Sequence, residues 1–316
     1  MRRMAAPHVT VLVPTYNHAA FLADTLDSIL AQDYEAFDIV VSDDGSTDAT
    51  VELARGYAER QPEKIRVLTV ERNTGIAANF TRCVNAVRGE LYAWCAGDDV
   101  MLPGKLTRQV AVMQQRPDAV VSVHDAEVFQ SESGAVLGRF GEMYNGRREY
   151  LEGGVELLLR PGYVTLPSTM MIRSSARPTH GYDDRLSFSN EWLYDVEVFR
   201  NGRCVPLNEV LLRYRRHPGN ATASAEAARL GTEENLIALA LIQARFPELT
   251  RLVRRRRTAM FVASALAARA RRDRGQAVSL MRAALADGGP VDVATALLLL
   301  ARVRIGRARL GAPAPA

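Results

Sequence analysis

Short apolar runs alternate with helical segments through the first hundred residues. The runs are rich in β-branched and aromatic residues, which is typical of strands buried on both faces. Between them, apolar residues recur at the spacing of one helix face, as at Leu22, Leu26 and Ile29. Strands are predicted at 9–14, 37–41, 65–70 and from Leu91, and helices at 21–32, 47–60 and 76–87.

This alternation predicts an α/β fold. Strand–helix–strand units with short loops form parallel sheets with right-handed crossovers and helices on both faces. The carboxyl ends of such strands meet at one edge, where open α/β sheets bind ligands. We therefore expect the loops that follow the four strands to lie together.

The pattern is less regular downstream. We predict a helix at 102–115, a strand at 119–123, and edge strands with a loop over the sheet in the glycine-rich stretch 125–165. Strand-like runs at 166–172 and 210–215 flank a helix at 191–201. Beyond about residue 220 the chain is rich in Ala, Leu and Arg, which predicts a helical extension. Within it, 261–286 resembles a two-helix hairpin turned at Arg274 and Gly275, and 311–316 is predicted to be disordered.

Charge is distributed unevenly over the 316 residues. The formal net charge is +4, but the stretch from Arg251 to the end holds 14 arginines, no lysine and three aspartates, a charge of +11. Such a tail could bind anionic lipid, nucleic acid or an acidic partner. The sequence alone favours a solvated, arginine-rich helix surface, and we expect no nucleic-acid partner.

Cysteine usage and hydropathy indicate the compartment. Cys83, Cys95 and Cys204 are scattered and form no CxxC pair, as in reduced cytosolic proteins. No signal-peptide pattern is seen, and the longest late apolar run, 293–301, is less than half of a membrane span. We expect a cytoplasmic protein that is at most peripheral on the inner membrane face.

Polar clusters follow all four strands. Asp98 and Asp99 are adjacent carboxylates that would repel each other unless a cation such as Mg²⁺ or Mn²⁺ is bound. The alternative is an ordinary solvated turn, in which Gly97 lets the chain bend. No GxGxxG follows the first strand and no GxxxxGK[ST] occurs, which excludes the common nicotinamide and P-loop sites.

Five motifs together resemble glycosyltransferase family 2. They are VLVPTYN at 11–17, SDDGSTD at 42–48, NTG at 73–75, Asn79 and GDD at 97–99. The resemblance covers roughly 9–218 and implies an inverting enzyme of the GT-A fold, with a mostly parallel sheet. It implies a GT-A domain at 1–219, with a nucleotide-sugar half at about 1–124 and an acceptor half at about 125–219, followed by a basic helical extension at 220–316.

The resemblance also implies roles for individual residues. A nucleotide-sugar donor would be bound by residues of the strand-end loops: Pro14, Thr15, Tyr16, Asn17, Asp43, Asp44, Arg72, Asn73, Gly75, Asn79 and Asp98. The metal, Mg²⁺ or Mn²⁺, would be held by Asp99, Asp98 and His217, with Asp99 as the more direct ligand. Gly97 or Ala96 stands where the usual acidic triplet begins.

The catalytic base is implied by Asn190-Glu191-Trp192, which stands where the family usually has Glu-Asp-Trp. Glu191 takes the base position, and Asn190 and Trp192 fall on the acceptor side. From the residues alone, Glu191 is equally an acid favoured by a helix N-terminus. Trp192 is either core or a platform for a sugar ring.

The resulting prediction is transfer of a sugar from a UDP- or dTDP-sugar to an acceptor hydroxyl. The acceptor is left open between a lipid-linked glycan, a cell-surface polysaccharide and a protein. A sugar-1-phosphate nucleotidyltransferase would need a Gly-rich basic loop where this chain has Pro14-Thr15-Tyr16-Asn17. A non-catalytic binding or assembly protein of the same fold is the other alternative. The helical tail could contact a membrane or a second copy of the chain.

Overall fold

The computed structural model describes residues 6–161, 163–187, 190–221 and 225–309. Nine strands and nine helices lie in these ranges. The strands are β1 (Val9–Thr15), β2 (Phe37–Asp43), β3 (Ile65–Thr69), β4 (Leu91–Trp94), β5 (Val100–Met101), β6 (Ala119–Gln130), β7 (Val136–Arg139), β8 (Met170–Arg173) and β9 (Arg203–Arg216). The helices are α1 (Leu22–Leu30), α2 (Thr50–Arg60), α3 (Ile76–Asn85), α4 (Lys105–Gln115), α5 (Phe140–Asn145), α6 (Asn190–Phe199), α7 (Ala225–Arg245), α8 (Thr250–Ala270) and α9 (Arg274–Arg309).

All nine strands form one sheet in the order β3-β2-β1-β4-β8-β6-β9-β5, with β7 paired to β6. The first four strands are parallel, as the alternation predicts. Beyond β4 the sheet is mixed, because β8 is antiparallel to both neighbours while β6 and β9 are parallel to each other. Pairings between strands so far apart in sequence have no local signal, and the sequence did not predict this mixed half.

The inner strands are buried on both faces, which explains their continuous apolar composition. Successive residues enter opposite layers, so that Leu12 packs in one core and Val11 and Val13 in the other. Leu26 of α1 lies in the second core and Val84 of α3 in the first. Helices therefore cover both faces, and the predicted doubly wound arrangement is confirmed.

The predicted boundary between a strand at 119–123 and a looser stretch at 125–165 is wrong. Strand β6 continues to Gln130, and the stretch also contains β7 and the short helix α5. His124 and Asp125 are buried within β6, where polar side chains break the apolar pattern expected of an inner strand. The register against β9 also shifts at Asp125, which marks a bulge.

The predicted helical extension is confirmed, and its parts differ in how they pack. Ala238, Leu239 and Ile242 of α7 join the core beneath the sheet. Helices α8 and α9 form the predicted hairpin, but its turn lies at 271–273, just before the predicted position. A small core of their own joins them: Ala259, Val262, Ala284, Val293 and Ala296. The tail 311–316 lies outside the described residues.

The expectation that no segment is long enough to span a membrane needs correction. By length and composition alone, the helical stretch Arg274–Ala301 would suffice. The sequence run seemed too short because alanines and glycines that extend the apolar stretch were left out of it. The stretch is not one regular helix, since Gly289 has a φ of 69° and is followed by Pro290.

Candidate active site

The loops after β1 and β2 are joined by Asn17. Its backbone N–H donates to Ser46 Oγ (2.8 Å), and its Oδ1 accepts from the Thr47 N–H (2.8 Å). Asn17 has a φ of 53°, a conformation that Asn tolerates better than most residues. Tyr16 beside it is exposed, so its ring is available to a ligand at this edge.

The paired acids after β2 are buried and organise the neighbouring loops. Asp43 accepts from the N–H groups of Gly45 and Ser46, at 3.0 and 2.9 Å. Asp44 accepts from the N–H groups of Thr74 (3.1 Å) and Gly75 (2.8 Å) and pairs with the guanidinium of Arg82. These hydrogen bonds fix both carboxylates in place. Their predicted contacts with a base and ribose remain predictions.

The loop at Arg72 and Asn73 lies directly against the β2 loop. A Cβ on Gly45 would lie 2.5 Å from the Arg72 carbonyl carbon, and Gly45 has a φ of 74°. Only glycine fits both requirements. Asn79 is buried, and its Oδ1 accepts from Ser42 Oγ at 2.6 Å. The polar strand ends therefore do meet at one edge, as predicted.

Gly97 permits the close approach of the β1 and β4 loops. A Cβ there would lie 2.7 Å from Thr15 Oγ1 and 2.9 Å from His18 Nδ1. Its N–H donates to the carbonyl oxygen of Pro14 at 3.0 Å. Glycine is required here because there is no room for a side chain. The backbone of Gly97 does not have a positive φ, so the predicted freedom to bend is not the reason.

Asp98 lies at the centre of a polar cluster. Its Oδ2 is 3.0 Å from His217 Nε2, 3.0 Å from Asn220 Nδ2 and 3.9 Å from His18 Nε2. Burial raises the pKa of Asp98, but the hydrogen bond from His217 and the charges of both histidines outweigh it and lower the pKa below its ordinary value. Asp98 is therefore an anion held between two imidazoles.

Asp99 is in a different environment. It is fully buried, its Oδ1 accepts from the Arg215 N–H at 3.2 Å, and its Oδ2 has no hydrogen-bond partner among the described residues. Burial, together with the nearby charge of Asp98, raises the pKa of Asp99 well above its ordinary value. The two adjacent acids thus differ in environment, and their pKa values are shifted in opposite directions.

His18, Asp98 and His217 could hold a metal ion, since one potential ligand atom from each lies within 4.8 Å of the others. Burial lowers the pKa of His18 and so favours the neutral imidazole, the form that coordinates a cation. His18 Nδ1 is buried without a partner in the described structure, so the residues fit a cation. Asp99 is not in this set, and the geometry favours Asp98 as the direct ligand.

Arg215 contacts the backbone of the acidic pair Asp98 and Asp99. Its Nε donates to the Asp98 carbonyl oxygen (2.8 Å) and its Nη2 pairs with Asp24 (2.9 Å). Its guanidinium lies 5.0 Å from the ring centroid of Phe21 and 4.9 Å from that of Phe129. These contacts join Arg215 of β9 to α1, β6 and the loop of the acidic pair, which fixes the backbone of that pair.

Glu191 lies in the first turn of α6 and is half-buried. Burial raises its pKa from 4.5 to about 7. One turn later, Asp195 is buried, and burial together with the charge of Glu191 raises its pKa well above the ordinary value. The side chain of Asn190 lies outside the described part of the structure. A carboxyl group that titrates near 7 suits general base catalysis.

The comparison with protein families decides the identity. The family model described as "Glycosyl transferase family 2" matches residues 10–176, more than half of the chain. The chain belongs to glycosyl transferase family 2.

An individual relative is also similar to this chain in sequence. An uncharacterized protein of Mycobacterium tuberculosis (strain H37Rv) is 30% identical over 225 residues, which cover 70% of this chain and 62% of the relative. This chain therefore spans less than two thirds of the length of that relative.

Two solved structures have the same fold. Staphylococcus aureus TarS 1–349 in complex with UDP-GlcNAc has a TM-score of 0.56 at 18% identity, over 88% of this chain and 90% of TarS. The mannosyltransferase PcManGT from Pyrobaculum calidifontis, in complex with GDP-Man and Mn²⁺, has a TM-score of 0.61 at 17% identity, over 97% of this chain and 87% of that one. At these identities the likeness shows the GT-A fold.

In this family 2 chain, α6 is anchored beside the end of β4 by aromatic rings. Tyr194 of α6 stacks on Tyr182 with the ring centroids 4.0 Å apart. Tyr182 in turn meets the edge of Trp94, at 6.3 Å. Because Trp94 ends β4, four residues before Asp98, the stack ties the helix of Glu191 to the strand that leads into the acidic pair.

Trp192 packs between the family 2 domain and the helical extension. Its Nε1 donates to the Leu158 carbonyl oxygen at 3.2 Å, and the guanidinium of Arg256 lies 5.1 Å from its ring centroid. One face of the indole is thus covered by α8. The sequence left Trp192 open between a core residue and a platform for a sugar ring, and this geometry favours the core residue.

A cleft of about 620 Å³ opens between α3 and the segment that precedes α6. Arg82, which pairs with Asp44, and Tyr182, which stacks on Tyr194 of α6, both line it. His180 and Arg245 line it as well. The cleft is therefore lined by residues that contact the β2 loop and α6.

Sequence reasoning missed several residues of this family 2 site. His18 could have been found, because it directly follows the loop motif at 14–17. Asn220 and Arg215 contact Asp98 from more than a hundred positions away, and no local pattern announces that contact. Lys105 resembles a surface lysine of α4, yet it is fully buried and its Nζ donates to the Trp94 carbonyl oxygen at 3.3 Å. Burial lowers the pKa of Lys105 to about 8.

Proposed function

We propose that this chain is an inverting glycosyltransferase that moves a sugar from a nucleotide-diphosphate sugar to an acceptor hydroxyl. The observation that carries the proposal is the cluster of His18, Asp98 and His217 at the carboxyl edge of the sheet, in a chain of family 2. Open α/β sheets bind ligands at that edge. Glu191, whose pKa is raised to about 7, supplies the second group that the reaction requires.

The proposed cofactor is a divalent cation held by Asp98, His18 and His217. Two imidazole nitrogens beside one carboxylate suit a transition ion better than Mg²⁺, so Mn²⁺ is proposed ahead of Mg²⁺. When bound, the cation would neutralise the negative charge that develops on the departing diphosphate. Mn²⁺ in the complex of the Pyrobaculum mannosyltransferase supports this choice.

The proposed reaction is one direct displacement. The acceptor oxygen forms a bond to the anomeric carbon as the bond from that carbon to the diphosphate oxygen breaks, and the electron pair leaves with the nucleoside diphosphate. Glu191 takes the proton of the acceptor hydroxyl during the attack. Because the acceptor enters opposite the leaving group, the anomeric configuration inverts. No enzyme nucleophile takes part.

The proposed donor is a UDP-sugar, with a dTDP-sugar as the alternative. The complex of TarS with UDP-GlcNAc supports a UDP-sugar. Because the Pyrobaculum mannosyltransferase binds GDP-Man, GDP-sugars are included in the experiment below. The acceptor is proposed to be a lipid-linked glycan, a polysaccharide or a protein, in cell-surface polysaccharide or glycoconjugate synthesis. The proposed site of the reaction is the cytoplasm, where nucleotide sugars are made.

A thermal-shift panel tests the proposal. The full chain is heated with UDP-, dTDP- and GDP-sugars, each with and without MnCl₂. A ligand that binds only the folded state raises Tm. At a ligand concentration a hundred times Kd, it stabilises the folded state by about 2.7 kcal/mol. We expect one nucleotide class to raise Tm with Mn²⁺, and Asp98→Ala to remove the metal-dependent part. A panel in which no nucleotide sugar changes Tm would contradict the proposal.

A further inference from the structure

Large apolar side chains are exposed in two adjoining parts of the surface. Among the described side chains ten large hydrophobics are exposed, and eight of them lie on α9 or around α5. Those on α9 are Val278, Leu285, Val291, Leu297 and Leu298, and those around α5 are Val136, Leu137 and Val164. Helix α5 packs against α9, so the two groups lie on adjoining elements. We call the exposed apolar residues of these elements the apolar surface.

The second limb of α9 is apolar on two sides, and only one side is covered. Val293 and Ala296 pack against α8 in the small core of the hairpin. Val291, Ala294, Leu298 and Ala301 recur at the spacing of one helix face and are exposed, Val291 to 75% and Leu298 to 66%. An apolar stripe of this length on a helix surface indicates a partner.

The charge around this surface is strongly positive. The hairpin and the residues that follow it hold 14 arginines against three aspartates. Two of those aspartates form ion pairs within the hairpin: Asp287 pairs with Arg257, and Asp292 lies 3.3 Å from Arg254. Arg274 and Arg282 of α9 are exposed. The partner should therefore be apolar in part and negatively charged.

We propose that the apolar surface docks the enzyme on an anionic lipid bilayer. The apolar stripe lies on the second limb of α9 and the exposed Arg274 and Arg282 on its first limb. In the proposed contact the stripe lies at the boundary between headgroups and acyl chains, and the arginines bind anionic headgroups. The sequence alone favoured a solvated arginine-rich surface. The exposed stripe at Val291 and Leu298 supports docking over that interpretation, because solvation explains the arginines but not the exposed apolar residues.

The contact is peripheral and does not span the bilayer. Asp287 and Asp292 lie within the apolar stretch of α9, and a spanning helix would carry both through the hydrocarbon core. In the structure they are instead paired with arginines of α8. Gly289 also interrupts the helix between them. The hairpin is therefore built to lie on a surface.

Vesicle co-sedimentation tests the proposal on the full chain, without any glycosyl transfer. We expect sedimentation with vesicles of phosphatidylcholine and phosphatidylglycerol, and little with phosphatidylcholine alone. Val291→Ser combined with Leu298→Ser should weaken binding about tenfold or more. Ile237→Ser, which alters an exposed apolar residue on α7, is the control and should bind as the unaltered chain does.

Charge variants and salt complete the test. Arg274→Glu with Arg282→Glu should weaken binding, whereas Arg55→Glu on α2 should not, and binding should fall as salt rises. Unaltered binding in Val291→Ser/Leu298→Ser, or no binding to anionic vesicles, would overturn the proposal. So would binding that resists carbonate extraction, which indicates a spanning helix. A dimer in solution that the same two substitutions dissociate, without vesicle binding, would assign the surface to a second copy of the chain.

Discussion

At the scale of single residues, Glu191 has the protonation behaviour that the proposed reaction needs. A helix N-terminus stabilises an anion, which would lower its pKa. Burial has the larger effect and raises the pKa to about 7. A base with that pKa is largely ionised just above neutral pH and remains basic enough to take a proton.

The pH dependence of turnover tests this assignment. Glu191 accepts a proton only when ionised, so kcat/KM should rise with pH and level off above an apparent pKa of about 7. Stability should change in the opposite direction. The folded state holds the proton more tightly than the unfolded state, so the contribution of Glu191 is full below about pH 4.5 and is lost as pH rises through 7. A pH profile with the same inflection in Glu191→Gln would contradict the assignment.

Gly97 allows a test of the close loop approach at the acidic pair. In Gly97→Ala the new methyl group would lie 2.7 Å from Thr15 Oγ1, so the loops must separate. Overpacking of this kind costs about 1–3 kcal/mol, and we expect a lower Tm and weaker Mn²⁺ binding. Gly56→Ala in α2 is the control, because its Cβ would meet only Arg60 Nη1, at 3.7 Å. That substitution should stabilise the chain by about 0.5–1 kcal/mol.

The strand-end motifs could be read from sequence because each is a contiguous run beside a strand. Tyr16, Asp43, Asn73 and Asp98 were placed together by the α/β alternation alone. The ligand set was not resolved in this way, because Asp98 and Asp99 are adjacent and the resemblance implied Asp99 as the more direct ligand. Only burial and the approach of His217 distinguish them. Their roles in nucleotide binding remain predictions.

At the scale of elements, the α8–α9 hairpin has a core separate from that of the sheet. Its two helices are held by small apolar residues and by Asp287, which pairs with Arg257 and accepts from Thr258 Oγ1 at 2.9 Å. Small residues give close packing but bury little apolar area each. The polar bridge at Asp287 therefore carries a larger share of the stability here than in the main core.

Removal of that bridge should loosen the hairpin alone. Asp287→Ala leaves the half-buried guanidinium of Arg257 without its carboxylate, at a cost of about 1–3 kcal/mol. We expect faster amide hydrogen exchange in α8 and α9 and unchanged exchange in β1 and β2, measured by mass spectrometry. Equal acceleration throughout the chain would show that the hairpin and the sheet unfold as one unit.

Element prediction succeeded where periodicity is local and failed where it is not. The strands β1, β2 and β3 and the hairpin helices follow from the spacing of apolar residues. Strand β6 was cut short because buried His124 and Asp125 look like loop residues. The pairing of β8 between β4 and β6 depends on contacts between residues some 50 to 80 positions apart, for which the sequence has no local signal.

At the scale of the whole molecule, one sheet edge presents the acidic cluster and the strand-end loops, and the basic α8–α9 hairpin adjoins α6. Trp192 connects the two parts through Arg256 of α8. The division of the chain at residue 219 remains a prediction, since α7 packs in the main core. Proposed chemistry and proposed docking are thus carried by different parts of the chain and can be tested separately.

The most direct test of the central claim is release of nucleoside diphosphate from the donor that the thermal-shift panel selects. The full chain should release nucleoside diphosphate in the presence of Mn²⁺, and this release should stop when excess EDTA is added. Asp98→Ala and Glu191→Gln should each slow release by about a hundredfold or more, with donor binding retained in Glu191→Gln. Glu59→Gln, an exposed acid of α2, is the control. Release that persists in EDTA and in both variants would contradict a metal-assisted transfer at this site.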